Sequence, residues 1–246
     1  MSQNNDFIFG IRAILEAIRS GKEIDKVLVR KGLSGELFQE LLTEMRESKI
    51  LFQQVPNEKL DRVTRKNHQG VIAFISPITY QNIEEIVPAL YEKGKVPFIL
   101  VLDSLTDVRN IGAIARTAEC AGVDAIIVPE KGSAQINGDA IKTSAGALHY
   151  IPVCRVKSLN STVRFLKESG IRTIAATEKA SDTYFNVDMK EPLALIMGAE
   201  DTGISLELLR SADHLVRIPI SGHIESLNVS AAASVLIYEA VKQRLG

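Results

Sequence analysis

Residues 97–102 read Pro-Phe-Ile-Leu-Val-Leu, an apolar run in which polar and apolar side chains do not alternate. Such a run predicts a strand that is covered on both faces, which is typical of a parallel sheet with helices on each side. Five similar runs predict the other strands of this sheet, and they lie at 125–128, 150–153, 171–176, 193–197 and 215–220. The sequence therefore predicts an α/β fold with a mainly parallel sheet.

Residues 227–245 predict a closing helix that has no charged residue before Glu239. Its first three turns are apolar or small on every side, and three consecutive alanines at 231–233 permit close approach of another backbone. A surface helix normally has one polar face. We therefore expect this helix to be buried in the fold or docked on a partner chain.

Residues 1–77 follow a different pattern, which predicts a small α/β unit. Apolar residues at 11, 14, 15 and 18 and again at 37, 41, 42 and 45 have helical spacing, and the predicted strands are 27–29, 51–55 and 70–75. Residues 78–95 contain Pro88, Gly94 and only a weak helical pattern. The predicted organisation is a first domain at 1–77, a linker at 78–95 and a second domain at 96–246.

The composition excludes several classes of protein. The 246 residues are 46% hydrophobic and 24% charged with a formal net charge of −1, so the chain is not disordered and does not bind polyanions by bulk charge. Only Cys120 and Cys154 are present, and the first residues lack the pattern of a signal peptide. No apolar run approaches the roughly 20 residues of a membrane helix. These features favour a protein of a reducing cytoplasm.

The common nucleotide and hydrolase motifs are missing. The chain contains no GxG, no GxxxxGK[ST] and no GxSxG, and its four histidines lack metal-ligand spacing, so we expect no bound metal. A small-molecule enzyme that uses another nucleotide would need a phosphate-binding glycine loop, and the sequence does not supply one. Any function must therefore reside in other loops at the ends of the strands.

Three such loops combine glycine with polar residues. In 110–122, Asn110 is a candidate N-cap, Gly122 is a candidate helix stop, and Arg116 is surrounded by apolar residues. In 198–203, two glycines flank Glu200, and in 218–230 Ser226 and Asn228 are able to cap the last helix. Each loop alone has a structural explanation: an arginine whose charged end reaches solvent, a strand–helix connection and a helix cap.

Taken together and in this order, the three loops resemble a known family. The patterns NxGxxxR, GxExxG and IPxxGxxxSLNVSxAxxxxxYE at 110–116, 198–203 and 218–239 are similar to the three motifs of the SpoU (TrmH-like) branch of the SPOUT RNA methyltransferases. Residues 9–17 and 68–71 resemble the small L30e-like substrate-binding domain of the bacterial 23S rRNA guanosine 2′-O-methyltransferase group. The resemblance implies S-adenosylmethionine as methyl donor, a ribose 2′-hydroxyl as acceptor, a C-terminal trefoil knot and a homodimer.

The resemblance also assigns site residues. It implies that the catalytic positions are Asn110, Arg116, Glu200, Ser226 and Asn228. It implies that the cofactor is bound largely by backbone groups at Gly198, Ile218 and Leu227, with Thr177 bordering the pocket. Because a guanidinium is effectively never deprotonated, our hypothesis is that Arg116 stabilises the developing alkoxide, while Glu200 or a phosphate oxygen receives the proton.

An RNA partner requires a local basic surface on this nearly neutral chain. The predicted RNA-binding residues are Arg12, Arg62, Arg65, Lys66 and Arg109. The alternatives to a 23S rRNA substrate are the same reaction on tRNA, or a non-catalytic RNA-binding or ribosome-assembly factor. Residues 62–68 are also compatible with a solvated turn that has no partner.

Overall fold

The computed structural model describes residues 7–246, which divide into two compact units, one ending at Thr79 and the other comprising Tyr80–Gly246. The first unit contains four strands and three helices. Its strands are β1 (Phe7–Phe9), β2 (Ile24–Arg30), β3 (Phe52–Val55) and β4 (Val71–Ile75). Its helices are α1 (Ile11–Arg19), α2 (Glu36–Glu47) and α3 (Asn57–Val63).

The strands of the first unit form one mixed sheet in the order β1-β4-β2-β3. Helices α1 and α2 lie on one face, where Ile14, Leu41 and Met45 are fully buried against Val27 and Val29. The three strands and two helices that the sequence predicts here are present. Strand β1 and helix α3 were not predicted, because three- and seven-residue elements are too short to show a periodic pattern.

The second unit contains seven strands and six helices. Its strands are β5 (Phe98–Asp103), β6 (Ala125–Pro129), β7 (Val153–Val156), β8 (Arg172–Ala176), β9 (Asp182–Thr183), β10 (Leu193–Gly198) and β11 (His214–Arg217). Its helices are α4 (Ile83–Glu92), α5 (Val108–Cys120), α6 (Gly138–Thr143), α7 (Leu159–Glu168), α8 (Leu206–Ser211) and α9 (Val229–Leu245). Two short 3-10 helices are Ala147–His149 and Tyr184–Asn186.

The seven strands form one sheet in the order β7-β6-β5-β10-β8-β11-β9, and every pairing is parallel. The prediction of a parallel α/β sheet is therefore confirmed. Helices α4, α7 and α8 share one buried cluster with alternate residues of the central strands, for example Ile99, Ile127 and Ile196. The other face is packed by α9, whose Arg244 guanidinium lies 4.8 Å from the ring centre of Phe98.

Some boundaries differ from the prediction for physical reasons. The strand predicted at 150–153 begins only at Val153, because a 3-10 turn occupies 147–149. The strand predicted at 215–220 ends at Arg217, two residues before Pro219, which lacks a backbone donor. Most of the predicted linker at 78–95 is helix α4, which is capped by Asn82 and buries Ile83 and Val87.

Two sets of polar contacts hold the ends of this unit together. Arg244, near the end of α9, donates four hydrogen bonds of 2.9–3.2 Å to backbone carbonyls in 96–97 and 189–191. The Asp213 carboxylate, just before β11, is contacted by Lys167 at 2.8 Å and accepts hydrogen bonds from the backbone and hydroxyl of Thr173 at 2.9 and 2.8 Å. Partial burial acts to raise the pKa of Asp213, and these hydrogen bonds outweigh it, so the carboxyl's pKa lies below its usual value.

No helix within residues 7–246 is both long enough and apolar enough to cross a bilayer.

Candidate functional site

The carboxyl ends of β5 and β10 lie side by side at the centre of the larger sheet, with Asp103 paired to Gly198. In open parallel sheets, ligands bind at this edge. The chain that leaves β5 enters α5, and the chain that leaves β10 forms a loop at 199–205 before α8. The first two sequence motifs therefore meet at one edge of the sheet.

Helix α5 is capped by Asp107 and not by Asn110, which corrects the sequence prediction. Asp107 Oδ1 accepts a hydrogen bond from the backbone N–H of Arg109 at 2.8 Å. This backbone donor and the Arg109 guanidinium beside it hold the pKa of the Asp107 carboxyl below its usual value. Asn110 is the third residue of the helix, so its side chain is available for other contacts. The predicted stop at Gly122 is confirmed, since that residue has a φ of 75° just after the helix.

Asn228 joins the three motifs in a single hydrogen-bonded cluster. Its Oδ1 accepts from the backbone N–H of Ser230 at 3.0 Å and so caps helix α9. Its Nδ2 donates to Asn110 Oδ1 at 3.1 Å and also to Glu200 Oε1. Because 118 residues separate Asn110 from Asn228, only the tertiary fold brings them together.

Glu200 is bound to the first turn of helix α9. Its Oε1 accepts a hydrogen bond from the backbone N–H of Val229 at 3.1 Å, in addition to the Asn228 amide. A carboxylate at the amino end of this 17-residue helix also interacts favourably with the helix dipole. The loop after β10 is therefore fixed to the start of α9. Within residues 7–246 no donor contacts Glu200 Oε2.

The loop after β10 folds tightly back over the end of its own strand. A Cβ atom at Gly198 would lie far inside 3.0 Å of the backbone of Gly203 and Ile204, so only glycine fits there. The backbone N–H of Gly203 donates to the carbonyl of Ala199 at 2.9 Å. Asp103, a buried carboxylate that the sequence analysis missed, accepts from the backbone N–H of Ser205 at 2.8 Å. The sequence signal that could have identified Asp103 is its position directly after the apolar run 98–102.

A cavity of about 260 Å³ lies beside this cluster. It is lined by both ends of the network, Asn110 and Glu200, and also by Asp107 and Asp201. Drug-sized ligands generally occupy cavities of roughly 300–1,000 Å³, so this one has room for only part of a larger molecule.

The positions predicted to bind the cofactor follow three adjacent strands. Thr177 follows β8, Gly198 ends β10 and Ile218 follows β11, and these strands are neighbours in the order β10-β8-β11. The backbone N–H of Thr177 donates to the carbonyl of Val216 at 2.9 Å. Leu227 directly precedes Asn228 in the irregular segment 218–228 and is 42% exposed. The fold thus places Thr177, Gly198 and Ile218 along the carboxyl edge of one sheet, and Leu227 in the segment that leads to α9.

Two predicted catalytic residues lie outside the cluster. Arg116 is six residues after Asn110, which puts it roughly a third of a turn away around α5. It is exposed and has no ion pair or side-chain hydrogen bond among the described residues. Ser226 is also exposed, in the segment before α9. Within one chain, neither side chain belongs to the Asn110–Asn228–Glu200 network.

Arg116 lies on an exposed surface that α5 and α9 build together. These two helices pack against each other, and the hydroxyls of Thr117 and Ser234 are 3.1 Å apart. The outward side of α9 is apolar and includes Val235 and Tyr238, which are 36% and 50% exposed. We call this surface, formed by the outward sides of α5 and α9, the α5–α9 face.

The predicted RNA-binding residues are divided between the two units. In the first unit Arg12, Arg62, Arg65 and Lys66 are exposed, and none of them forms an ion pair in the described part of the chain. The loop that carries Arg65 and Lys66 is closed by buried His68, whose Nε2 is 3.0 Å from Asp61 Oδ1. In the second unit Arg109 is exposed and pairs with Asp107 at 3.3 Å.

The structure adds two cations that the sequence analysis missed, Arg30 and Lys31 at the end of β2. Both are exposed. The backbone N–H of Arg30 donates to Gly70 at 2.8 Å, next to the Arg65–Lys66 loop, so these side chains lie at the same end of the first sheet. Residues 7–246 contain no group of three or more His, Cys, Asp or Glu side chains placed to hold a metal ion.

Sequence profiles match both units of the chain. The profile of the SpoU rRNA methylase family matches residues 97–238. A second profile, RNA 2′-O ribose methyltransferase substrate binding, matches residues 7–81. A protein of Staphylococcus aureus (strain MSSA476) that is assigned to the TrmH family of tRNA/rRNA methyltransferases is 37% identical over 238 residues, which is 96% of each chain.

Two solved structures have the same fold. AviRb, a SpoU methyltransferase of Streptomyces viridochromogenes in complex with the cofactor AdoMet, is 25% identical with a TM-score of 0.62, over 97% of this chain and 90% of that one. An AdoMet-bound rRNA methyltransferase of Sinorhizobium meliloti is 25% identical with a TM-score of 0.63, over 98% and 88%. With matching profiles on both units and its three motifs joined at one sheet edge, the chain belongs to the SpoU/TrmH family of RNA methyltransferases.

Proposed function

We propose that this protein transfers a methyl group from S-adenosylmethionine to a ribose 2′-hydroxyl of RNA, and that the acceptor is a guanosine of 23S rRNA. The observation that carries the proposal is the Asn110–Asn228–Glu200 cluster, which links all three motifs beside a cavity at the carboxyl edge of the sheet. The match of the first unit to a 2′-O ribose methyltransferase substrate-binding domain supports the ribose and the RNA.

The residues present fit S-adenosylmethionine. Gly198 allows a tight turn at the end of β10, and the backbone groups of Thr177 and Ile218 follow the adjacent strands β8 and β11 at the same carboxyl edge. These three positions and Leu227, which precedes Asn228, would hold the cofactor according to the motif resemblance, and two similar structures have AdoMet bound. When bound, the cofactor supplies a methyl group on a positively charged sulfur.

The side chains of the cluster have distinct roles in this proposal. Asn110 and Asn228 fix the orientation of the Glu200 carboxylate, whose Oε1 is occupied by two N–H donors. Oε2 is then the atom that is free to take the proton of the acceptor hydroxyl, with an RNA phosphate oxygen as the alternative acceptor. Arg116 stabilises the negative charge that develops on the ribose oxygen and contacts the adjacent phosphate. Ser226, which lies outside this cluster within one chain, keeps the catalytic role that the resemblance of the third motif implies.

Because Arg116 lies away from the cluster of its own chain, we propose that the active protein is a homodimer. The α5–α9 face would pack against a second copy, which covers Val235 and Tyr238 and brings Arg116 to the partner's cluster. An exposed apolar surface next to an unpaired arginine is typical of such an interface. We also expect the trefoil knot of the family in the second unit, and a cytoplasmic location in keeping with two unpaired cysteines.

In the first unit, we propose that Arg12, Arg62, Arg65 and Lys66, together with Arg30 and Lys31, contact RNA phosphates. In the second unit, Arg109 is proposed as a separate contact to an RNA phosphate. The test is charge reversal at Arg65 and Lys66, with reversal of the ion-paired Arg19 on α1 as the matched control. Reversal at 65 and 66 is expected to weaken RNA binding and flatten its salt dependence, since each lost phosphate contact lowers the salt slope by about one. Unchanged binding would show that this loop is a solvated turn that does not contact RNA.

The same reaction on tRNA is the second candidate, because the Staphylococcus aureus relative is described by both substrates. The experiment that separates the candidates is a map of 2′-O-methylated positions in rRNA and tRNA from cells with and without this protein. Loss of one guanosine methylation in 23S rRNA would support the proposal, and a lost tRNA methylation would replace it. No lost methylation, together with no transfer of labelled methyl groups to bulk rRNA or tRNA, would favour a non-catalytic assembly factor.

The role of Arg116 is tested separately with Arg116→Ala and Arg116→Lys. Both variants are expected to bind S-adenosylmethionine normally and to lose turnover by about a hundredfold, because one transition-state donor is removed or misplaced. Calorimetry measures the first quantity and labelled-methyl transfer the second. Loss of cofactor binding in parallel with turnover would contradict a role on the acceptor side.

A further inference from the structure

The sheet of the first unit has two faces that are covered to very different extents. Helices α1 and α2 lie on one face, where a large buried cluster forms. Among residues 7–79, the opposite face is packed only by the seven-residue helix α3, whose Leu60 joins Leu28, Val55 and Ile72 in a small cluster. The part of this face formed by β1 and β4 is therefore less protected.

This part of the face is aromatic. Because side chains alternate along a strand, Phe7 and Phe9 of β1 share the face with Phe74 of β4. All three rings are partly exposed, and the ring centre of Phe7 is 6.4 Å from that of Phe9 and 6.2 Å from that of Phe74. The three rings form a continuous aromatic surface.

The same face also carries positive charge. Phe7 pairs with Phe74 and Phe74 pairs with Lys26, so the three side chains form one row across three adjacent strands. The Lys26 ammonium is 5.2 Å from the ring centre of Phe74. Partial burial, together with the nearby charge of Lys59 on α3, lowers the pKa of Lys26, against an opposing effect of Asp25. Two neighbouring ammonium groups, neither of them in an ion pair within the described residues, favour an anionic ligand.

We propose that this face, which we call the phenylalanine platform (Phe7, Phe9, Phe74, Lys26 and Lys59), binds single-stranded RNA by stacking unpaired bases on its rings and contacting phosphates with its lysines. The proposal rests on RNA as the substrate class of the proposed function, and names a surface within the substrate-binding unit. Unstacked bases commonly pack on sheet aromatics that are flanked by cations. A protein partner would cover the rings equally well but would leave two adjacent lysines without phosphates to contact.

The chain contains no tryptophan, so one introduced at the platform is an isolated reporter. Phe74→Trp keeps a large aromatic surface, and a base that stacks on the indole quenches its emission. The matched control is Phe52→Trp on β3, which lies on the other face of the same sheet and is 37% exposed. The probe is a fluorescein-labelled single-stranded RNA 12-mer, with a duplex of the same length as competitor.

We expect the RNA 12-mer to quench Phe74→Trp strongly and Phe52→Trp weakly, and the duplex to compete poorly. If anisotropy shows that the RNA is bound while the emission of Phe74→Trp stays unchanged, the proposal is overturned. It is also overturned if the wild-type protein binds no RNA 12-mer. A second pair of variants does not rely on the indole. Phe9→Leu is expected to weaken binding about tenfold, and Lys26→Gln is expected to lower the salt slope by about one. Binding unchanged in both variants would also overturn it.

The two proposals fail separately. Labelled-methyl transfer to bulk rRNA and tRNA by the wild-type protein reports on the proposed function alone. Transfer without quenching would refute the platform and leave the proposed function intact. Quenching without transfer would refute the proposed function and leave an RNA-binding platform.

Discussion

Replacing Gly198 by alanine is expected to open the loop that follows β10. The added methyl group would lie far inside 3.0 Å of the Gly203 and Ile204 backbone, whereas ordinary contact begins at 3.4 Å. The loop must therefore withdraw by about 1 Å, because backbone atoms cannot rotate out of the way as a side chain can. Overpacking of this kind costs about 1–3 kcal/mol. In a chain of this length, each kcal/mol lowers the melting temperature by about 2–4 °C.

The same displacement is expected to weaken S-adenosylmethionine binding about tenfold or more, since the backbone of Gly198, one of the positions proposed to hold the cofactor, lies in the turn that moves. Differential scanning fluorimetry measures the melting temperature and calorimetry the affinity. Gly246→Ala is the matched control, because its added methyl group would make only an ordinary contact of 3.6 Å with the Lys242 carbonyl outside the three motifs, and both quantities should stay unchanged. Gly203→Ala separates strain from crowding: its φ of +67° costs about 1–2 kcal/mol with no clash. A Gly198→Ala protein that melts and binds like Gly246→Ala would refute the reasoning.

Three further predictions concern stability and the thiols. Arg244→Ala and Arg244→Lys should each destabilise the protein by about 2–4 kcal/mol in urea unfolding, because neither side chain is able to satisfy four carbonyls at once; equal stability of the lysine variant would show that charge alone suffices. Because the pKa of Asp213 is lowered in the folded state, the ionised carboxylate stabilises the folded protein. The difference in the free energy of unfolding between the wild-type protein and Asp213→Asn should therefore be largest at pH 7 and should disappear as the pH falls through the folded pKa. An undiminished difference at low pH would contradict this. Burial raises the pKa of Cys154 to about 12, so a Cys120→Ser protein should not react with a thiol reagent at pH 8 until it is unfolded.

The pattern of apolar runs was sufficient to predict the class of the fold. Residues such as 98–102 and 193–197 are apolar without alternation. This pattern indicates that both faces of the strand are buried, and it does not depend on which strands lie beside it. The order of the strands was beyond such a pattern. Strand β10 lies between β5 and β8, and the apolar side chains of β10 would suit several other positions equally well.

Predicted segments failed where a local signal had two meanings. Pro88 and Gly94 indicated a linker, but Pro88 is tolerated on the exposed side of α4, and only the packing of Val87 on the sheet makes that segment helical. Asn110 has the chemistry of a helix cap. The helix begins earlier, at Val108, where the Asp107 side chain accepts the hydrogen bond of the Arg109 backbone N–H.

The sequence by itself determined that three loops with glycine and polar residues follow apolar strands, and it predicted that these loops carry the chemistry, because residue types at short spacing are visible without a fold. Only the tertiary structure decided that Asn228 contacts both Asn110 and Glu200, that Arg116 faces away from them, and that Phe7, Phe74 and Lys26 form one row. These are contacts between segments far apart in the chain, or directions around a helix axis. Periodicity records how deeply each residue is buried and leaves open which residue it meets, and that is settled by the packing of the whole sheet.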